Sequence, residues 1–499
     1  MDSGEGSVWD RIGRWARTRP DSVAVEGHDG SLTFGELWTR SQNLARTLSG
    51  QGIKAGDPVA LLCLRGPDFV VAALACWLAG GAYVPLDPLV PARRREMVLS
   101  ASGAQVVIAS DAYLECMTGS DVVVVSVAAG RSGEELRPQA PAGHAAYVIF
   151  TSGTTGVPKG VVVAHEALDN LLGWVVDQHS LLMRDRVLHT YGLGFDAAVV
   201  ELWPTLVAGA TVVACSDTAR VVPEFLVEEA AAKRCSVVWA TTAIVEHIIR
   251  QELPLPGVRL LLTGGDVLRV RPARPATYRL VNHYGPTEAT VITTSHLVAP
   301  GSATDDSPPS IGSPIAGVVV SLAGTDDQEV ALGATGEILI GGRNLALGYL
   351  GDPDLTDAAF VVRHGQRWYR TGDLGVRDEN GLIQFRGRKN ADQLKLNGQR
   401  IEAGEIEAAL LEIPGVLGAC VVLTDVGLGA VLVSDRGCQL DEPGVREAVR
   451  DRLPWAAHPK WVAHADSIPL TPNGKVDRRA VADHILARRQ TLLERRAHP

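Results

Sequence analysis

None of the seven cysteines, Cys63, Cys76, Cys116, Cys215, Cys235, Cys420 and Cys438, forms a C-x-x-C pair, and their number is odd. That pattern excludes a disulfide framework and a regularly spaced zinc site, and it points to reduced thiols in a cytoplasmic protein. Positive charge is also short. A net charge of −10 excludes a general nucleic-acid binder, which needs a basic face. The opening residues, "MDSGEGSVWD", lack the basic flank and apolar stretch of a secretory signal. Long hydrophobic runs are missing as well. Phe69 to Leu86 carries no charge, but Gly80, Gly81 and Pro85 divide it. It is expected to form a short buried helix followed by a strand, not a membrane span. Heptads, low-complexity tracts and internal repeats are absent.

What remains is a globular composition, 46% hydrophobic and 21% charged over 499 residues, too long for one ordinary core. Residues 32 to 48 open with Thr33 and Glu36 at capping-box spacing and place Phe34, Leu37, Leu44 and Leu48 on one face. This predicts an amphipathic helix. Apolar β-branched runs then alternate with helical patterns: "DPVALLCL", "AQVVIAS", "DVVVVSV", "ATVVACS", "CSVVWAT" and "VRLLLTGG". The expected fold is α/β with largely parallel sheets buried on both faces. Near residue 388 the texture shifts to a charged, turn-rich stretch, then to a short segment with "GACVVLTDV" and "GAVLVSD" as strands. We therefore expect a large domain over residues 1–388 and a small one over 389–499.

One loop stands out between two strand-like flanks, "YVIFTSGTTGVPKGVVVAH", residues 147 to 165. It fails the G-x-x-x-x-G-K-[ST] test, because Pro158 precedes Lys159 and Gly160 follows it, and because no helix pattern comes next. Hydroxyls at Ser152, Thr154 and Thr155, with Gly153 and Gly156, can still approach a phosphate closely, with Lys159 as anchor. The residues alone leave two readings open: a phosphate loop, or a Gly/Thr turn with no ligand.

"TSGTTGVPKG" resembles the signature loop of the adenylate-forming superfamily, which includes acyl-CoA synthetases, firefly-type luciferases and nonribosomal peptide synthetase adenylation domains. Eight further segments resemble adenylation-domain core motifs in order: "LTFGEL", "LAGGAYVPLDP", "FDAAVVELW", "NHYGPTEAT", "GEILIGG", "YRTGDL", "GRKNADQLKLNGQRIEAGEIE" and "NGKVDR". The resemblance implies layered α/β sheets with a small barrel-like β subdomain, and a small mobile α+β C-terminal domain carrying a catalytic lysine. It also implies a reaction in which a carboxylate attacks the α-phosphate of ATP, pyrophosphate leaves, and an acyl adenylate remains.

Carried over by resemblance, the nucleotide site takes Thr151, Ser152, Gly153, Thr154, Thr155, Gly156 and Lys159 from the loop. Asn282, Tyr284 and Gly285 join them, with Tyr284 stacking on adenine. Thr287 would contact phosphate and Glu288 would hold magnesium, a hard cation that suits a carboxylate. Asp373 would accept both ribose hydroxyls, and Arg388 would add a ribose or hinge contact. Lys475 would bridge the substrate carboxylate and the nucleotide, its charge strengthened as water leaves. Two departures from the family pattern stand out. The stretch between Gly387 and Gly398 is one residue longer than usual, so the hinge Asp falls at Asn390, Ala391 or Asp392, ahead of Lys395. Leu347 stands where an Arg usually precedes Gly348.

Asp196 matches the residue that pairs with the α-ammonium of amino-acid substrates, and it also suits a helix N-cap. The remaining pocket positions, by resemblance, are Ala197, Val200, Ala243, Leu262, Gly264, His283, Val291 and Ile292, with Lys475. Small residues at 197, 243 and 264 beside apolar walls imply a bulky hydrophobic or aromatic amino acid. His283, the lone polar wall group, either meets a polar atom of the substrate or is a satisfied core histidine, and a cyclic amino acid is an alternative. No phosphopantetheine-attachment motif follows "NGKVDR". The expected role is therefore a free-standing ligase that loads a separate peptidyl carrier protein, with or without an MbtH-like protein. The alternatives are an acyl-CoA or aryl acid ligase and a non-catalytic nucleotide-binding subunit of a synthetase assembly.

Overall fold

The computed structural model describes residues 6–28, 30–117, 121–136, 143–151, 158–301, 307–389, 393–396, 399–435, 440–469 and 476–497. Contacts group the chain into two units. One comprises Met1–Asp87, Ser102–Phe150 and Gly160–Lys389; the other comprises Pro88–Ala101, Thr151–Lys159 and Asn390–Pro499.

The apolar runs read from the sequence become strands. Three of them, Thr211–Ala214, Val237–Thr241 and Leu260–Gly264, lie parallel with Val23–Glu26, Arg186–His189 and Arg279–Tyr284, which the sequence reading had not singled out, in the middle of a nine-stranded sheet. Because side chains alternate along a strand, Trp239, Leu262 and Val281 share one face and one core. Val238, Leu261 and Leu280 share the opposite face and a second core. Burial on both faces explains why these runs are continuously apolar instead of alternating.

A seven-stranded sheet includes the parallel strands Pro58–Leu62, Ala82–Pro85, Val106–Ala109 and Val123–Ser126. The uncharged stretch before Leu86 is helix Pro67–Leu78 followed by strand Ala82–Pro85, as its glycines and proline imply. Among the described residues no helix is long and apolar enough to cross a membrane. Helix Phe34–Ser49 begins at Thr33, whose hydroxyl accepts from the Glu36 N–H at 3.2 Å while Glu36 accepts from the Thr33 N–H at 2.8 Å. This is the expected capping box.

A five-stranded antiparallel sheet, with Thr335–Gly342, Gln366–Arg377 and Ile383–Arg388 among its strands, occupies the place expected for the β subdomain. In the second unit, strands Val416–Thr424, Gly427–Ser434 and Trp461–His464 form a sheet, and helix Ala403–Leu411 packs on it. Its core includes Ile406, Leu410, Val421 and Leu432.

Candidate functional site

Segment 282–292 gathers eight of the expected site residues onto one stretch of backbone. Strand Arg279–Tyr284 delivers it at its carboxyl end, and a single 3-10 turn, Thr287–Ala289, follows. Gly285 passes so close to the Val291 carbonyl that any Cβ there would collide with backbone. Thr290 and Val291 adopt φ of 52° and 67°, a left-handed conformation that β-branched residues rarely take. The strained loop is held from outside. Thr290 Oγ1 donates to the Asn344 carbonyl at 2.6 Å, and Asn344 Nδ2 donates to the Ile292 carbonyl at 3.2 Å. Asn344 Oδ1 in turn accepts from Asn170 Nδ2 at 2.6 Å. Asn344 was not legible as a site residue, since an uncharged amide in "GGRNLAL" carries no signal of its own.

The residues expected to meet the nucleoside converge. Tyr284 O–H donates to Asp373 Oδ2 at 2.8 Å, and Arg388 Nε lies 2.9 Å from Asp373 Oδ1. The register sets this arrangement, because Asp373 and Arg388 are direct cross-strand partners. The Asp373 N–H donates to Thr371 Oγ1 at 2.9 Å, and Thr371 donates to the Ile338 carbonyl at 2.7 Å, which fixes the turn. Burial and the neighbouring carboxylate push the Tyr284 phenol well above its ordinary range, so it remains a donor. Asn282 is buried and donates to the Ser310 carbonyl at 3.0 Å.

A second convergence joins Asp196, Thr287 and Glu288. The Asp196 carboxyl is raised to about 6, first by burial and then by the charge of Glu288, against the opposing hydrogen bond from the Thr287 hydroxyl. Asp196 stands at the N-cap of helix Ala197–Val207, yet its side chain makes no capping hydrogen bond. The expected cap to the deeper amides is therefore absent, and the carboxylate is held instead by the Thr287 hydroxyl and by the Ala197 and Asp196 N–H groups. The loop before it is anchored by Glu201, a fully buried carboxyl that accepts from Thr190 N at 2.8 Å, Thr190 Oγ1 at 2.9 Å and Tyr191 N at 3.0 Å. Burial raises Glu201 to about 8.

Glu288 is buried, and its Oε1 accepts from the Tyr349 hydroxyl at 2.7 Å. Among the described residues no group of three or more His, Cys, Asp or Glu gathers as a metal cluster. A single carboxylate steadied by a phenol still suits magnesium, which takes one or two protein carboxylates and completes its shell with phosphate and water.

The pocket positions fall mostly on one sheet face and the helix opposite it. Leu262 and Gly264 sit two apart on one strand, Gly264 is in register with His283, and Val200 is buried on the helix that begins at Ala197. A Cβ at Gly264 would stand 2.6 Å from the His283 carbonyl oxygen, so only glycine fits there. Ile292 is buried and Val291 half-buried on the loop.

Ala243 requires correction. It is exposed in the first turn of helix Thr242–Arg250, whose buried residues Ile244, Val245 and Ile248 belong to the core on the opposite side of the sheet. The residue that faces the pocket from the neighbouring strand is Trp239, in register with Leu262 and with its ring 5.1 Å from His283. Sequence reading missed it because a tryptophan inside "CSVVWAT" looks like core.

Thr151 ends strand Ala145–Thr151 and Lys159 opens strand Lys159–Ala164. Ser152, Gly153, Thr154, Thr155, Gly156, the hinge candidates Asn390, Ala391 and Asp392, Gly398 and Lys475 lie outside the described residues. At the departure from the family pattern, the Leu347 side chain is 45% exposed, and its carbonyl accepts from Arg367 Nη2 at 2.8 Å.

A family model described as AMP-binding enzyme matches residues 12–350, and one described as AMP-binding enzyme C-terminal domain matches residues 405–475. A linear gramicidin synthase subunit of Brevibacillus parabrevis is 36% identical over 498 residues, covering 95% of this chain and 10% of that protein. Phosphinothricin tripeptide synthetase PhsC of Streptomyces viridochromogenes is 36% identical, covering 94% of this chain and 44% of that protein. The chain thus spans about a tenth of the first relative and less than half of the second. Among solved structures, a nonribosomal peptide synthetase protein with adenylation and PCP domains, bound to a vinylsulfonamide inhibitor, matches at TM-score 0.81. It is 28% identical, with 96% of this chain and 85% of that one covered. A four-domain nonribosomal peptide synthetase bound to AMP and glycine matches at TM-score 0.70 and 29% identity, covering 96% of this chain and 36% of that one.

Proposed function

The chain belongs to the AMP-binding enzyme family of adenylate-forming ligases, as an adenylation domain of the nonribosomal peptide synthetase type, and on that premise we propose that its substrate is an amino acid with a largely apolar side chain. The supporting observation is Asp196: a poorly solvated carboxylate hydrogen-bonded to Thr287, at the start of the helix that carries Val200. A buried ammonium needs a paired charge, and this group supplies one.

In the proposed reaction the amino-acid carboxylate oxygen attacks the α-phosphorus of ATP, the bond to the pyrophosphate oxygen breaks, and the aminoacyl adenylate stays bound. A carrier-protein phosphopantetheine thiol then attacks the acyl carbon and AMP leaves. Asp196 holds the α-ammonium, Tyr284 and Asp373 position the nucleoside, and Thr287 donates to a phosphoryl oxygen. Glu288 is the residue suited to hold magnesium, which would supply charge to offset the phosphates. Lys475 is proposed to neutralise the phosphoryl oxygens as charge develops, the largest electrostatic demand of the step. Domain boundaries at residues 388 and 389 and a mobile small domain belong to this proposal.

The bulky aromatic side chain expected from sequence rested partly on space credited to Ala243. With Trp239 at the wall, the support is for apolar character more than for bulk. The test is amino-acid-dependent exchange of labelled pyrophosphate into ATP over a panel of amino acids and of aryl and fatty acids, in wild type and Lys475→Ala. Stimulation by amino acids, abolished in the variant, supports the proposal. Stimulation only by acids without an α-amine would establish an acyl or aryl acid ligase instead, and no stimulation by any acid would leave a nucleotide-binding subunit.

A further inference from the structure

We propose that Glu201 is a positioning residue for amino-acid binding: by gripping the entry of the loop that runs from Thr190 to Asp196, it sets where the Asp196 carboxylate stands. The inference rests on the amino-acid reading above and deepens it.

Asp196 lies at the end of a short excursion between two regular elements, strand Arg186–His189 and helix Ala197–Val207. A turn closes inside it from the Phe195 N–H to the Gly192 carbonyl at 3.0 Å, and the Ala198 N–H returns to the Phe195 carbonyl at 3.1 Å. Asp196 is half-buried, whereas Glu201 has no exposed surface. Asp196 thus borders accessible space, and Glu201 acts only within the protein.

Glu201 is the fifth residue of the helix, and its carboxyl group reaches back to the loop entry. Oε1 accepts from the Thr190 N–H at 2.8 Å and from Thr190 Oγ1 at 2.9 Å, and Oε2 accepts from the Tyr191 N–H at 3.0 Å. His189 Nε2 stands 3.6 Å from Oε2, but burial holds that imidazole well below its ordinary pKa, so it brings no charge. Thr190 is gripped from two further sides. Its hydroxyl also lies 2.9 Å from the Trp239 carbonyl, and its own carbonyl accepts from Arg220 Nε at 2.7 Å. The loop then passes close over charged side chains, since a Cβ on Gly192 would stand 2.9 Å from Arg220 Nη2 and 3.0 Å from Asp87 Oδ2.

A carboxyl group buried this deeply costs stability unless its oxygens are matched, and here the matching donors are the loop's own amides. Packing alone would be served by an apolar side chain. What the carboxyl group adds is a closed ring: from Glu201 to Thr190 and Tyr191, along the loop to Asp196, and back through the first turn of the helix. Both ends of the segment before Asp196 are therefore fixed to the same helix. From this ring Asp196 meets the Thr287 hydroxyl, which belongs to a separate segment. Loosening the ring shifts Asp196 against Thr287, while Tyr284 and Asp373, on strands of their own, keep their bond.

The experiment reads pyrophosphate exchange in wild type and Glu201→Gln, with whichever amino acid wild type activates fastest. Glutamine keeps one accepting oxygen and sets an NH2 group against the other amide, so one of the two backbone grips is lost. KM for the amino acid should rise about tenfold, with KM for ATP changing by less than about twofold. Two competitive inhibitors separate positioning from general disorder: the amine that lacks the substrate's carboxylate, and the acid that lacks its α-amine. Glu201→Gln should weaken the amine about tenfold and leave the acid unchanged, because only the amine uses Asp196. For the same reason, adding Glu201→Gln to Asp196→Asn should raise amino-acid KM little beyond Asp196→Asn alone. Equal weakening of both inhibitors, parallel rises in both KM values, or additive effects in the double variant would overturn the inference and leave amino-acid activation standing. A wild type that exchanges pyrophosphate with no amino acid would instead remove the reading beneath it, and the inference with it. If Glu201→Gln does not fold, Thr190→Val, near-isosteric and lacking only the hydroxyl bond, decides by the same split between the two inhibitors.

Discussion

Tyr284 and Asp373, 89 positions apart, share a buried hydrogen bond of 2.8 Å between the phenol hydroxyl and Oδ2. It joins the end of the parallel sheet to the antiparallel sheet, with Arg388 on the carboxylate's other oxygen at 2.9 Å. Asp373 is thus oriented before any ligand arrives.

Removing only the hydroxyl tests that orientation. Tyr284→Phe keeps the ring, and with it the aromatic contact to Phe385 at 6.4 Å between centroids, but leaves Oδ2 without this donor. A loss of about 1–3 kcal/mol in unfolding free energy is expected. KM for ATP should rise several-fold, with KM for the amino acid nearly unchanged. Urea denaturation and separate titration of the two substrates provide the measurements, and equal weakening of both would assign Tyr284 a general structural role instead.

Asp196 makes the site sensitive to pH. Its carboxyl is raised from 3.8 to about 6, so the free protein loses stability as pH climbs through that window, where folding forces ionisation of a poorly solvated group. Substrate binding has the opposite demand. The ammonium needs the carboxylate, so amino-acid KM should increase as pH falls below about 6, while KM for ATP moves less. Asp196→Asn should raise amino-acid KM at every pH and flatten the profile. A KM that stays level from pH 7 to 5 in wild type would contradict the assignment.

Gly264→Ala tests the closeness of two strands. The added Cβ would stand 2.6 Å from the His283 carbonyl oxygen, and backbone on both sides cannot yield cheaply. Overpacking of this kind costs about 1–3 kcal/mol, so the melting temperature should fall by several degrees. Amino-acid-dependent exchange should fall more steeply than ATP affinity. A variant as stable and active as wild type would show that the strands separate more readily than their register implies.

The sheets were legible because strands buried on both faces leave unbroken β-branched runs, and Thr33 with Glu36 announces a helix start in four residues. The site was legible only through ordered motifs, because its partners come from distant segments: nothing in "YRTGDL" alone says that Asp373 meets Tyr284. Ala243 was misplaced for a physical reason. The strand ending at Thr241 runs directly into a helix, so a shift of a few residues carries a position from one face of the sheet to the other. Trp239 and Asn344 act through packing and neutral amide bonds, which leave no charge or spacing pattern to read.

Asn344 yields a last prediction, about how the strained wall is maintained. A valine at φ 67° costs on the order of 1–3 kcal/mol and persists only where its surroundings dictate it. Here one amide does much of that: Nδ2 holds the Ile292 carbonyl and Oδ1 is held by Asn170. Asn344→Ala removes both bonds but keeps the backbone carbonyl that Thr290 uses. The loop should relax toward ordinary φ, withdrawing Val291 and Ile292 from the pocket wall. Amino-acid KM should rise and discrimination between side chains should narrow, while the pH profile set by Asp196 stays in place. Val291→Gly separates the two causes, since glycine accepts positive φ freely. If strain is what Asn344 holds in check, adding Val291→Gly to Asn344→Ala should recover part of the lost stability but none of the lost discrimination. Recovery of both would mean that Asn344 acts on the backbone alone and that the valine side chain has no part in shaping the pocket.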